Sequence, residues 1–271
     1  MSTPAKDYSL AELMIVAGAE AFRNDGEVLA TGIGLIPRLA ASLAMKTFNP
    51  DLMMTDSEAF LLSEPNPVSG RSSHEGQLSP QKQETWMGFS RIFDNVWSGK
   101  RHAMVGPTQI DKYGQANISA LGGDYAKPKV QMLGVRGFPG NSISHANSFF
   151  VPSHNKRVFV EGECDMVASI GYNPARLPKG YSLDDIDIRL VITDLCVMDW
   201  QGPNHMLQLV SLHPGITVEQ VLENTGFEIH IPENVATTTA PTEEQLEIIR
   251  QLDPQDWRSK QLKDNPPGDR S

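Results

Sequence analysis

The chain has 271 residues, 39% hydrophobic and 21% charged, with a formal charge of −10 at pH 7. That is enough apolar material for one large core or two modest ones. The acidic balance argues against broad contact with nucleic acid or an anionic membrane, because a phosphate lattice is held by clustered Lys and Arg. A single polyanionic ligand needs only a few local cations and backbone N–H groups, and remains compatible.

The two cysteines, Cys164 and Cys196, sit in apolar, strand-like settings. They provide no disulfide framework and are read as buried thiols in a reducing compartment. No apolar run nears the ~18 residues of a membrane-crossing helix. The opening MSTPAKDYSLAE lacks the charged head and long apolar centre of a secretory signal. The cytoplasm is the expected location.

In chain order, residues 8–24 (YSLAELMIVAGAEAFRN) have helical spacing, with Ser9 as N-cap, Glu12 three residues on, and Asp25-Gly26 as the stop. EVLATGIG reads as a short buried strand closed by a glycine turn. IPRLAASLAMKTF resumes the helix, Pro37 being tolerated in its first turn, and PDLMMT is a second strand. This strand, Gly-x-Gly turn, helix and strand make a βαβ start, which predicts helices packed on a largely parallel sheet.

Residues 63–85, rich in Ser, Pro, Gly, Gln and Glu, hold little that can be buried and are read as a mobile surface loop or lid. From 102 onward short strand signals dominate: HAMVG, KVQMLGV, SFFVP, KRVFVE, DMVASI, IRLVITD, CVMDW and LQLVSLH. Two helices follow, each opened by a capping box, Thr217 with Gln220 and Thr242 with Gln245. No repeat or linker divides the chain. Residues 1–252 are expected to form a single domain, and 253–271 a tail that is poorly ordered or packed on a neighbour.

The seven histidines show no His-x-x-x-His spacing and the cysteines no Cys-x-x-Cys, so no metal site is expected. A Gly-x-Ser-x-Gly elbow and a P-loop are also absent. FNPDLMMTDSEAFL runs an apolar segment into Asp56 and Glu58. A carboxylate at the mouth of a strand suits a nucleophile or a general base, and equally a solvated turn residue.

LGVRGFPGNSISH, residues 133–145, carries glycines at 134, 137 and 140. It reads either as a nest of backbone N–H groups for an anion or developing oxyanion, or as a plain strand-to-strand turn. GPTQIDKYGQANIS gathers Gln109, Asp111, Tyr113, Asn117 and Ser119 about a turn at Gly114, for which local scaffolding is the simpler reading.

FNPDLMMTDSEA, GPTQIDKYGQANIS, GVRGFPGN, LVITD and HPGITVEQVLENTGFEI, in this order over about residues 10 to 250, resemble the β subunit of family I CoA-transferases, glutaconate CoA-transferase especially. Within that family the nearest likeness is to the small subunits of bacterial cholesterol ring-cleaving hydrolases. The resemblance implies an α/β/α sandwich with a mostly parallel central sheet, and an active site shared with an α-type partner in an α2β2 assembly. It implies a CoA thioester as substrate, with no covalently bound cofactor. The implied reaction is hydrolytic, retro-Claisen-like opening of a cyclic keto-acyl-CoA in steroid catabolism, with the essential glutamate on the α subunit. The alternative is a true CoA-transferase, with Glu58 as the nucleophile that forms a mixed anhydride and then a glutamyl thioester.

Aligned on NPD, Ser57 takes the place of the family's nucleophilic glutamate and Glu58 follows one residue later. One step along a strand reverses side-chain direction, so Glu58 is read as facing away unless a bulge slides it into the pocket. The pocket wall on this chain is then Asp56, Ser57, Glu58 and Gln109, with the glycine loop: Gly134, Val135, Arg136, Gly137, Phe138, Gly140 and Asn141. Gly134 and Gly137 match the family's G-S-G-G-A segment. Arg136 replaces a glycine there, and suits either a carboxylate of the substrate or partner or a structural ion pair.

Overall fold

A computed structural model of the chain describes residues 4–56, 60–68, 83–132, 134–135 and 137–271. Helix α1 (Leu10–Ala19) starts at Ser9, whose hydroxyl accepts the Glu12 N–H while the Glu12 carboxylate accepts the Ser9 N–H. Then come β1 (Leu29–Gly32), α2 (Leu35–Thr47), β2 (Met53–Asp56), β3 (Phe60–Leu62), β4 (Gln83–Trp86) and α3 (Gly88–Asp94). After β5 (Arg101–Val105), two hairpins follow, β6 (Gln109–Ile110) with β7 (Ala116–Asn117) and β8 (Ala120–Asp124) with β9 (Lys127–Gln131). The chain continues through α4 (Phe138–Ser144), β10 (Ala146–Val151), β11 (Ile188–Thr193), β12 (Cys196–Asp199) and β13 (Gln208–Leu212). It closes with α5 (Val218–Asn224), β14 (Ala236–Thr237) and α6 (Glu243–Leu252).

Among the described residues, ten strands form one sheet in the order β14-β13-β12-β11-β10-β5-β1-β2-β3-β4. Its centre, from β11 to β2, is parallel, as the βαβ start requires, and antiparallel pairs flank it on both sides. This is the expected α/β class. Alternation along the strands divides the core. Ala30, Met54, Met104, Phe150 and Ile192 pack on α1, α2 and α6. Ala103, Val105, Phe149 and Val191 pack on the opposite face, with Ile110, Ala116, Phe138 and Val221. No helix among the described residues is long and apolar enough to cross a membrane.

Five stretches differ from their sequence signals. KRVFVE and DMVASI form only single bridges, Phe159 with Ile110 and Ser169 with Ala116. The flanks of β10 are already taken by β5 and β11, so this apolar content packs outside the sheet. Within the segment read as a loop or lid, residues 69–82 lie outside the described residues. Its ends are built into the fold: Asn66 and Val68 are buried, the Val68 N–H bonds the Leu252 carbonyl, and Gln83–Trp86 is a strand. The second half of the glycine-rich stretch is helix α4, with Pro139 in its first turn. Residues 253–271 lie along α1 of the same chain. There Arg258 is buried against Glu12 at 2.9 Å and Asp253 at 3.1 Å, and the Gly268 N–H reaches the Tyr8 carbonyl. A carboxylate inside an all-buried helix needs a cation, and this segment supplies it.

Candidate active-site wall

A row of buried polar side chains crosses the sheet from β2 to α4. Thr55 lies on the face opposite Met54, and its hydroxyl donates to Thr31 Oγ1 on β1 at 3.5 Å. Thr31 Oγ1 also accepts from Arg101 Nε at 3.0 Å, and Arg101 Nη1 donates to Asn141 Oδ1 at 3.4 Å. All four residues are buried. Desolvation lowers the Arg101 pKa to about 10, which leaves it cationic at neutral pH, and no carboxylate among the described residues pairs with it.

Strand β2 ends at Asp56, whose register partner on β3 is Phe60. Alternation is therefore fixed only from Met53 to Asp56, and it does not set the direction of the residues that follow. Ser57 and Glu58 lie outside the described residues, as does Arg136, and the Asp56 side chain is not described either.

The glycine loop shows two separate demands for glycine. Gly134 has φ +85 and nothing within 4 Å of where a Cβ would stand, so its requirement is conformational. Gly137 has φ −86, but a Cβ there would sit 2.6 Å from the Phe93 ring on α3. At Gly140 the nearest atom would be Val96 Cγ1, at 3.2 Å. Phe138 is buried edge-on against Phe149, with ring centroids 6.4 Å apart. Positions 137, 138 and 140 thus fasten α4 to α3, to the turn after it and to β10. Gly134 and the exposed Val135 are left on the open side. Asn141 anchors the loop from below, through Arg101 and through its carbonyl, which accepts from Asn147 Nδ2 at 2.9 Å.

The QIDKYGQAN stretch is largely scaffold. Asp111 is fully buried and accepts from the backbone N–H groups of Tyr113, Gln115 and Cys164 and from the Gln115 amide, while burial raises its pKa. Asn117 donates to Gln109 Oε1 and to the Ala120 carbonyl. Gln109 Oε1 accepts from Asn117 at 2.8 Å and from the Asp165 N–H at 3.0 Å, which fixes the amide orientation and leaves Nε2 as a donor with no partner among the described residues. Sequence reasoning missed Thr31, Thr55 and Arg101. The available signal was an arginine opening the otherwise apolar RHAMV.

A parallel sheet with antiparallel flanks and a glycine loop entering a helix packed on β10 defines a CoA-transferase-type β subunit. Glutaconate CoA-transferase of Acidaminococcus fermentans matches with a TM-score of 0.78 at 26% identity, over 92% of this chain and 96% of that one. The IpdAB structure from Rhodococcus jostii RHA1 matches with a TM-score of 0.85 at 36% identity, over 95% and 99%. In sequence, the cholesterol ring-cleaving hydrolase IpdB subunit of Mycobacterium tuberculosis is 40% identical over 254 residues, 93% of this chain and 98% of that relative. The chain belongs to the family that holds the IpdB subunits and the B subunits of CoA-transferases. No protein-family model matches the sequence.

Proposed function

We propose that this chain is the β-type subunit of a hetero-oligomeric enzyme that opens a ring of a cyclic keto-acyl-CoA from steroid breakdown, with an α-type partner supplying the catalytic glutamate. The observation that carries this reading is the 40% identity to a ring-cleaving subunit over nearly its full length. It agrees with a serine, Ser57, at the position where a transferase has its nucleophilic glutamate.

In this reaction the partner's glutamate takes a proton from water, and the hydroxide adds to the ring ketone carbon. The ring C–C bond then breaks. A carboxyl group forms on one side, and the bonding pair passes to the carbon beside the thioester as its enolate, which is reprotonated. The chain's contribution is a wall of donors for the developing charge: the oriented Gln109 Nε2 and the backbone about Gly134 and Val135. Ile33, Trp86, Trp97 and Val135 are large apolar side chains left exposed, and covering them is work for a partner subunit.

The test is turnover of the assembled α/β pair on a cyclic keto-acyl-CoA in 18O-labelled water. The expected result is label in the new carboxylate and no CoA adduct on this chain after borohydride or hydroxylamine trapping. An adduct at Glu58, with acyl exchange between acids, would establish the transferase reading that the CoA-transferase relatives favour.

A further inference from the structure

Arg101 opens β5 and is 5% exposed, yet among the described residues its guanidinium meets no counter-charge. Burial lowers its pKa, and no carboxylate raises it back. By contrast, the buried Arg258 meets both Glu12 and Asp253. An isolated buried charge costs far more than a buried neutral donor. Both acceptors of Arg101, Thr31 Oγ1 and Asn141 Oδ1, are neutral, and an amide donor would serve either of them. The charge therefore needs a reason beyond hydrogen bonding.

Its position supplies one. Arg101 Nε donates to Thr31 at 3.0 Å, and Thr31 is bonded in turn to Thr55, which lies on β2 just before Asp56 and Ser57. Arg101 Nη1 donates to Asn141 at 3.4 Å, and the Asn141 N–H donates to the Gly137 carbonyl at 3.0 Å, at the head of α4 where the glycine loop ends. One guanidinium thus ties the end of β2 to the glycine loop, the two walls of the candidate site. Its planar fork fixes the directions of both donors, and so the spacing of the walls.

We infer that Arg101 is a positioning residue for the reaction: it holds β2 and the glycine loop in register, and it places a fixed positive charge behind the wall where negative charge develops. The role rests on the ring-opening reading above, in which the thioester enolate forms against that wall. A charge held in a low-dielectric interior acts over several ångströms and needs no reorganisation when the enolate appears. Arg101 acts through Thr31, Asn141 and its field, and not by contact with the reacting atoms.

Steady-state kinetics and thermal unfolding of the assembled α/β pair carrying Arg101→Met, Arg101→Gln or Arg101→Lys test this. Arg101→Met removes charge and donors together, so kcat should fall roughly 10- to 100-fold, the loss expected when a site wall shifts by about 1 Å. KM should stay within about threefold. Tm should hold or rise, because an apolar side chain relieves the desolvation penalty. Arg101→Lys, which restores the charge, should recover part of kcat, and Arg101→Gln, which restores only a donor, should recover less. A group that serves the fold alone would lower Tm and leave kcat intact. That pattern, a kcat within about threefold of wild type in Arg101→Met, or a lysine variant no better than the methionine one, would overturn the proposal. The wild type is assayed for ring opening and for acyl exchange, and the variants on whichever it performs. Exchange alone would sink the ring-opening reading and leave the test of Arg101 readable, since the thioester oxygen gains charge in both reactions.

Discussion

Replacing Gly137 with alanine sets a Cβ 2.6 Å from Phe93 Cε1 and 2.8 Å from Cδ1, well inside van der Waals contact. The backbone tolerates alanine at φ −86, so the whole cost is steric. Overpacking of this kind costs about 1–3 kcal/mol, which in a chain of this size lowers Tm by roughly 2–12 °C. Phe93→Leu removes the obstructing ring edge, so the double variant should recover most of the loss, with a coupling of about 1–2 kcal/mol. Gly134→Ala is the control. It meets no atom within 4 Å but must adopt φ +85, a backbone strain of about 1–2 kcal/mol that Phe93→Leu cannot relieve. Thermal unfolding and turnover of the assembled complex, measured on the wild type, the three single variants and the two double variants with Phe93→Leu, separate the two causes. An unchanged Tm for Gly137→Ala, or lost turnover that Phe93→Leu leaves unrestored, would mean that Gly137 serves close approach of a ligand and not packing on α3.

His154 and His213 are buried and kept neutral by desolvation, with pKa values lowered to about 3 and about 4. Both folded values lie below the unfolded value of about 6.5, so the unfolded chain binds protons first and stability falls as pH drops from about 6.5 toward 4, by about 2 kcal/mol per histidine at pH 5. Urea midpoints between pH 7 and 5 should fall less steeply in His213→Gln; Asp111 and Asp194, raised by burial, slope the other way in both proteins and cancel in the comparison. A variant slope equal to the wild type would refute this. Glu12→Gln removes one of the two buried carboxylates that pair with Arg258, Asp253 being the other, and should cost about 2 kcal/mol. Limited proteolysis should then cut faster within residues 257–268, and an unchanged digest would show that the segment is held by other contacts. Ser57→Ala should leave kcat within about threefold, because an unactivated hydroxyl is a poor nucleophile at neutral pH; complete loss of turnover would put that hydroxyl in the chemistry.

Much of the fold was legible where the deciding contact is local. Ser9 with Glu12, Thr217 with Gln220, and Thr242 with Gln245 all close the capping boxes their spacing predicts, because each partner is one helical turn away. The scaffold reading of QIDKYGQAN held for Asp111 and Asn117, whose short polar side chains bond their own turn. KRVFVE shows where composition misleads: it has strand residues, but pairing in a sheet is settled by which strands arrive beside it. The candidate site was legible only in outline, since glycine spacing could not tell the strained Gly134 from the crowded Gly137.

The sequence by itself determined the helix caps, the βαβ start and, through five motifs in fixed order, the family. These rest on residues close in the chain or on inherited order. Tertiary structure alone decided that Arg258 meets Glu12 across 246 residues, that Phe93 fills the space beside Gly137, and that Arg101 joins Thr31 to Asn141. Each of those contacts joins elements separated along the chain, and no spacing rule reaches them, because their geometry is set by how strands and helices close around a shared core.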